Sequence, residues 1–242
     1  MSLPAPGTVP AAEAWPAIAL SLQVATVAAT ASLPVGIAVA WLLARRRFPG
    51  RLALEAVVHA PLVLPPVVTG YLLLLLLGRG GPVGDLLERL FGGRVVFTWC
   101  AAVIAAAVVA FPLMVRAIRL SIEAVDPRLE QAARTLGAGP WRTFALVTLP
   151  LARPGILAGW LLAFARGLGE FGATIMVAGN IPGQTRTMPL AIWSMTQRPG
   201  GERTVWMLVF ASVLIALLAV AAGEWLARRG PTAPRLVGPG DA

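Results

Sequence analysis

The chain has 242 residues, 57% of them hydrophobic and 13% charged, with a mean hydropathy of +0.78 and a formal net charge of +9. Soluble domains carry about 45–50% apolar and about 25% charged residues, so this balance demands a non-aqueous solvent and excludes an ordinary soluble enzyme. All the basic residues are arginines, set in short clusters between apolar runs and not along one polar face, which argues against a nucleic-acid binder.

The first fifteen residues hold no basic residue and carry Glu13. They lack the positive flank of a cleaved signal peptide, so the first apolar run is read as retained. Crossing a hydrocarbon core about 30 Å thick takes about 20 apolar residues in a helix. Five runs meet that length: 17–44, 52–77, 97–118, 154–178 and 205–226. Arginine placement orients them. With the N-terminus outside, thirteen arginines face inward (45, 46, 47, 51, 116, 119, 128, 134, 142, 153, 228, 229 and 235). Six face outward (79, 89, 94, 186, 198 and 203), and Arg166 is left within a run. The expectation is an all-α integral membrane protein, N-out and C-in. It forms one unit over 1–242 with an inner loop at 126–150 and an outer loop at 179–203. The lone cysteine, Cys100, lies in an apolar run and allows no internal disulfide.

The second run contains Pro61, Pro65 and Pro66, which donate no N–H and crowd the carbonyls of Val57, Pro61 and Leu62. At membrane depth such carbonyls need a neighbouring helix or a wet cavity. The expectation is a bent helix that either lines a pore or only packs. His59 beside it reads as a hydrogen-bonded packing residue.

In the inner loop, Asp126-Pro127 predicts a capped helix start, and Glu130 places negative charge in the first turn. Gly137 suits the left-handed residue that ends it. Leu129, Ala132, Ala133 and Leu136 share one face, with Arg128, Gln131, Arg134 and Thr135 on the rest. A second helix is expected from Gly139-Pro140, stopping before Pro150. The residues alone leave two readings open, an amphipathic helix on the lipid surface or a small-residue face for another protein.

The fourth run carries Gly155 and Gly159 at close-packing spacing, then Gly167, Gly169 and Gly172. Arg166 and Glu170 stand i,i+4 on one face. Buried charges in a membrane mark a pathway or a pair, so this pair either fixes packing or helps an anion through. The outer loop mixes Asn180, Gln184, Thr185, Arg186 and Thr187 with the apolar run 188–195, too short to span and so expected to be re-entrant or interfacial.

A resemblance adds to these readings. Gln131-Ala132-Ala133, then Gly137, then Val147-Thr148-Leu149-Pro150 resembles the EAA loop of ABC-importer permeases, Glu-Ala-Ala-x3-Gly-x9-Ile-x-Leu-Pro. Gln replaces Glu and Val replaces Ile. The stretches 59–71 (HAPLVLPPVVTGY), 163–175 (AFARGLGEFGATI), 180–187 and 199–202 are similar to the molybdate permeases of bacterial ABC systems. Sulfate/thiosulfate permeases tend to have Tyr-Gly-Ser where this chain has Phe171-Gly172-Ala173.

The resemblance implies a type I importer fold and a homodimer in the inner membrane. It implies two cytosolic ATPase subunits that hold the ATP and magnesium, a periplasmic molybdate-binding protein, and no cofactor in this chain. It implies ATPase coupling through Glu130, Gln131, Ala132, Ala133, Arg134, Gly137, Leu149 and Pro150. Pro65, Pro66, Arg166, Glu170, Thr174, Asn180 and Thr187 are the candidates for the pathway and gate. A sulfate or tungstate permease is the alternative, and a membrane scaffold without transport is a rival of another class. The chain has no lysine for a P-loop, and no cluster of histidine, cysteine and carboxylate suits an intramembrane enzyme.

Overall fold

The computed structural model describes residues 10–228. The first nine residues and everything from residue 229, including Arg229, Arg235 and the Pro/Gly-rich tail, lie outside the described residues.

Described residues form helices and connections, with no strand among them. Helix α1 (Pro10–Arg45) leads to α2 (Arg51–Val63), α3 (Pro66–Leu77), α4 (Pro82–Phe91) and α5 (Trp99–Glu123). The inner loop holds α6 (Pro127–Thr135), α7 (Pro140–Thr143), a π-helical turn (Phe144–Thr148) and α8 (Leu149–Leu151). Then come α9 (Arg153–Leu168), α10 (Gly172–Val177), α11 (Met188–Thr196) and α12 (Glu202–Arg228).

Three of these helices, α1, α5 and α12, are long and apolar enough to cross a bilayer alone, and two bent pairs raise the number of crossings to five. In the first pair α2 and α3 meet at 118°. Leu64, ahead of Pro65, is extended (φ −69°, ψ 143°), as the ring of a following proline requires. With Pro65 and Pro66 adjacent, two N–H groups are missing at one point and the helix cannot continue. The expected bend is therefore a full break, and 52–77 is two helices, not one continuous helix. The fourth run is likewise divided, since α9 ends at Leu168 and α10 begins only at Gly172.

Helix α5 is the axis of the bundle. Over half (56%) of its most apolar window is buried, against 11% for α12. The first half of its buried stripe is mostly alanine (Ala101, Ala102, Ala105, Ala106 and Ala110), and small side chains let neighbouring helices approach closely without the water-driven force available to soluble proteins. Two clusters divide the core along this axis. One joins Val24, Ala28, Leu73 and Leu77 to the start of α5 and to Ala173, Val177 and Ala178. The other joins Ala40, Leu43 and Val58 to the end of α5 and to Ala152. Chain ends therefore alternate as the five-run reading requires. The Arg45 end of α1 shares a side with the start of α2 and the inner loop. The ends of α3 and α10 share the opposite side with the start of α5.

Helix α4 was absent from the sequence reading. Ten residues are too few to span. Pro82 opens its first turn, the Asp85 Oδ1 accepts from the Gly80 N–H at 3.1 Å, and left-handed Gly92 (φ 69°) closes it. Val83 and Leu86 are exposed while Leu87 packs on the core.

Helices α3 and α10 touch through glycine. A methyl group on Gly70 would stand 2.7 Å from Cα and 2.8 Å from the carbonyl oxygen of Ala173. Those are backbone atoms and cannot swing aside. Gly70→Ala is therefore expected to destabilise the fold by about 1–3 kcal/mol, read as a lower thermal midpoint of the detergent-solubilised protein. An unchanged midpoint would show that the two helices are not pressed together.

Candidate functional site: the inner loop and the paired helix breaks

The inner loop starts as the residues dictate. Asp126 caps α6 by accepting from the Arg128 N–H at 2.9 Å, and Gly137 is left-handed at φ 87°. The helix then faces in an informative direction. Leu129 and Leu136, on the apolar side, are 49% and 88% exposed, and Gln131, Ala132 and Arg134 are exposed with them. The buried residue is the acid: Glu130 is 8% exposed.

Its carboxylate accepts from Arg45 Nε at 3.1 Å and from Thr148 Oγ1 at 2.7 Å, both on Oε1. Arg45 also donates to the Val125 carbonyl at 2.9 Å. One acid thus ties the loop helix to the end of α1 and to the π-helical turn. The residues around Glu130 give it a dipole role and the loop resemblance a coupling role, and neither names its partners. Its partners lie 85 positions before and 18 after it, beyond any local pattern. A usable signal was present, since Glu130 is an acid opposite the apolar face on a side where arginines cluster.

The expectation that the second loop helix stops before Pro150 is overturned. The helix passes through Pro150 and ends at Leu151, because Phe144–Thr148 widens into a π turn. The Leu149 N–H bonds the Phe144 carbonyl, five residues back, and this looser turn takes in the next residue, which has no N–H. Leu149 and Pro150 are half-buried. The chain then turns 70° into α9.

The two helix breaks meet inside the bundle. A methyl on Gly172 would lie 2.8 Å from Pro66 Cβ, so the Pro65-Pro66 junction rests on the start of α10. Glu170, 2% exposed, holds the second break with both oxygens. Its Oε2 is 2.7 Å from Arg166 Nη1, and its Oε1 accepts from the Ala173 N–H at 2.8 Å, capping α10. Thr174 is buried on α10. On α3, the buried Thr69 hydroxyl has no hydrogen-bond partner among the described residues. Nothing in the sequence reading had given Thr69 a role. Pro65 and Pro66, with Leu64, Val67 and Tyr71 around them, are exposed on the other side of the junction.

The outer loop is tied down. Asn180 Nδ2 donates to Ser194 Oγ at 2.6 Å and its Oδ1 accepts from Arg186 Nε at 2.9 Å. Ser21 Oγ accepts from the Met188 N–H at 2.6 Å, which fastens the start of α11 to α1. Arg186 and Thr187 are buried, and so is Ser194. The structure thus brings Asn180 and Thr187 into one outer-loop unit, while Glu170 and Thr174 belong to the α9–α10 break, which meets α11 through Phe171 and Trp193. Among the described residues no three His, Cys, Asp or Glu side chains converge as a metal site.

Comparisons with known proteins agree with this architecture. The family model for the "binding-protein-dependent transport system inner membrane component" matches residues 32–230. The chain is 56% identical over 214 residues, covering 88% of this chain and 93% of the relative, to the molybdenum transport system permease protein ModB of Escherichia coli (strain K12). It is 38% identical over 183 residues, covering 74% and 66%, to the sulfate transport system permease protein CysT of the same strain. Among solved structures it is similar to the MetNI methionine ABC transporter in an inward-facing conformation (TM-score 0.65, 16% identity, 90% of this chain and 94% of that one). It is also similar to the bacterial alginate ABC transporter in complex with its oligosaccharide-bound periplasmic protein (TM-score 0.64, 18% identity, 88% and 76%).

Proposed function

Because the chain belongs to the binding-protein-dependent transport system inner membrane component family, we propose that it is the membrane-spanning permease of an ATP-driven importer that carries molybdate into the cytoplasm. The observation that carries the substrate is the 56% identity to a molybdenum permease over nearly all of both chains, against 38% to a sulfate permease over less of each. The sulfate and tungstate alternatives are correspondingly weaker. The fold is that of type I importer permeases, all-α with five crossings when each bent pair counts as one.

The chain acts as a two-fold pair in the inner membrane, multi-pass, with its loop arginines inward. Two copies are the economical way to enclose a path with so thin a wall, because the exposed side of the α2–α3 junction then faces its symmetry mate. Two cytosolic ATPase subunits hold ATP and magnesium and receive the exposed face of α6. A periplasmic molybdate-binding protein delivers the ion to the side of the outer loop. The permease needs no cofactor of its own. The anchored loop converts ATPase closure into movement of the bundle, because Glu130 makes α6, the end of α1 and the π turn leading to α9 move together.

Reconstitution into liposomes with the ATPase and a molybdate-binding protein tests the reading. ATP-dependent accumulation of radiolabelled molybdate, little reduced by excess sulfate, is the expected result. Sulfate uptake at an equal rate would reassign the substrate, and no ATP-dependent uptake of either ion would sink the importer reading.

The turn at Gly137 gives a graded test of the coupling role. A side chain there meets nothing within 4 Å, so the whole cost is the left-handed backbone. Gly137→Asn is expected to keep ATPase co-purification close to wild type, since asparagine tolerates that conformation. Gly137→Val is expected to lose most of it, because β-branching makes the conformation about 1–2 kcal/mol or more unfavourable. Equal retention by both variants would remove the turn from the coupling surface.

A further inference from the structure

The inner end of the bundle holds a polar cleft beside the Glu130 tie, and no ligand has yet been given to its remaining arginines. It lies on the far side of α6 from the exposed Leu129–Leu136 face, with a volume of about 480 Å³, between the end of α1, α6 and the π turn. Arg45, Arg46 and Arg134 line it together with Glu130, Trp41 and Phe144. The charge within it is unbalanced. Glu130 is already taken up by Arg45 and Thr148, and among the described residues neither Arg46 nor Arg134 pairs with a carboxylate. The cleft therefore has a net charge of +2 from three guanidinium groups and one carboxylate. Arg45 spends one N–H on Glu130 and one on the Val125 carbonyl, which leaves three of its five donors unused in those contacts.

The walls are aromatic. Trp41 stacks on Trp141 with centroids 6.0 Å apart, meets the edge of Phe144 at 5.6 Å, and carries the Arg46 guanidinium over its ring at 5.5 Å. Trp141 is itself 74% exposed. Tryptophan beside arginine at the inner end of a span is the composition of the membrane–water interface. At that depth, planar arginine donors match the two oxygens of a phosphate group, and an aromatic wall suits the glycerol and upper acyl region.

We propose that this cleft binds the phosphate of an anionic phospholipid headgroup from the inner leaflet, held by Arg46, Arg134 and the spare donors of Arg45. A headgroup there bridges α1 and the inner loop beside the Glu130 tie, and so makes the coupling loop sensitive to lipid charge. The site does not depend on which ion is transported and rests only on the inward placement of the loop.

The same chemistry suits free phosphate, so the test has arms for both sources. Full-length permease, purified in detergent, is titrated with phosphatidylglycerol or with phosphatidylcholine of the same acyl chains and followed by native mass spectrometry. Two arginines at a membrane surface predict a roughly 30-fold preference for the anionic lipid. Arg46→Gln with Arg134→Gln is expected to reduce that preference to near parity. The matched outer-side pair Arg79→Gln with Arg89→Gln is expected to leave it intact. Arg46→Lys with Arg134→Lys keeps the charge and is expected to retain most of the preference, which separates loss of the site from loss of fold. Equal binding of the two lipids by the wild type overturns the proposal, as does an unchanged preference in the Gln pair. Displacement of the lipid by millimolar inorganic phosphate would assign the cleft to a soluble anion instead.

Discussion

Glu130→Ala is expected to reduce ATP-driven uptake by more than tenfold while leaving the spans assembled. The side chains of Glu130 and Arg45 are 10% and 16% exposed, so their bond is largely shielded from water. Removing one partner of such a pair leaves the other unpaired and costs about 3–5 kcal/mol. That cost falls on the docking of α6 and not on the core, because the Glu130 partners lie at the end of α1 and in the π turn, outside the alanine stripe of α5. The thermal midpoint of the bundle should therefore move little, while uptake and ATPase co-purification fall together. Thr148→Val, which removes one neutral donor to a charged acceptor, is expected to cost about 1.5–3 kcal/mol and to give an intermediate loss. Glu130→Gln keeps an acceptor for Thr148 and should lie between the two. Wild-type uptake by Glu130→Ala would show that the loop transmits force without this tie.

What the sequence disclosed was whatever a few neighbouring residues decide. Asp126-Pro127 and Gly137 set the ends of α6 through capping and backbone conformation, and Pro65-Pro66 marked where the second run departs from a straight helix, though as a bend and not as the break that two missing N–H groups produce. The same locality explains the misses. Pro150 signals a helix stop by itself, and only the wider π turn at Phe144–Thr148 lets the chain run through it. The bonds from Glu130 to Arg45 and Thr148, and the contact of Pro66 with Gly172, join residues that no periodicity links. Thr148 stands at the variable position between Val147 and Leu149 of the loop motif, where residue identity is not called for, and yet it supplies the donor that the acid requires. The outer loop gave only an apolar run too short to span. That Ser21 on α1 receives its first N–H could not be read from the run.

The Arg166–Glu170 pair yields the second large effect and separates the two roles left open for it. If Arg166 served mainly to attract the anion, its carboxylate partner would be expected to hold the guanidinium and little else. Glu170 does more, because Oε2 meets Arg166 while Oε1 caps α10 at Ala173. The pair is thus the fastening of the α9–α10 break, the same break on which the Pro65-Pro66 junction rests. Glu170→Ala removes the cap and leaves Arg166 charged at membrane depth, so a loss of about 3–5 kcal/mol and at least tenfold lower uptake are expected. Glu170→Gln retains an oxygen for the Ala173 N–H but strands the arginine charge, and should be impaired for that reason alone. Adding Arg166→Gln to Glu170→Gln removes the stranded charge while keeping the cap acceptor. Uptake by the double variant should therefore exceed that of Glu170→Gln, with the thermal midpoint recovering in parallel. The opposite pattern is informative: if all three variants assemble with a normal midpoint and none transports, Arg166 acts on the ion itself and the cap is incidental.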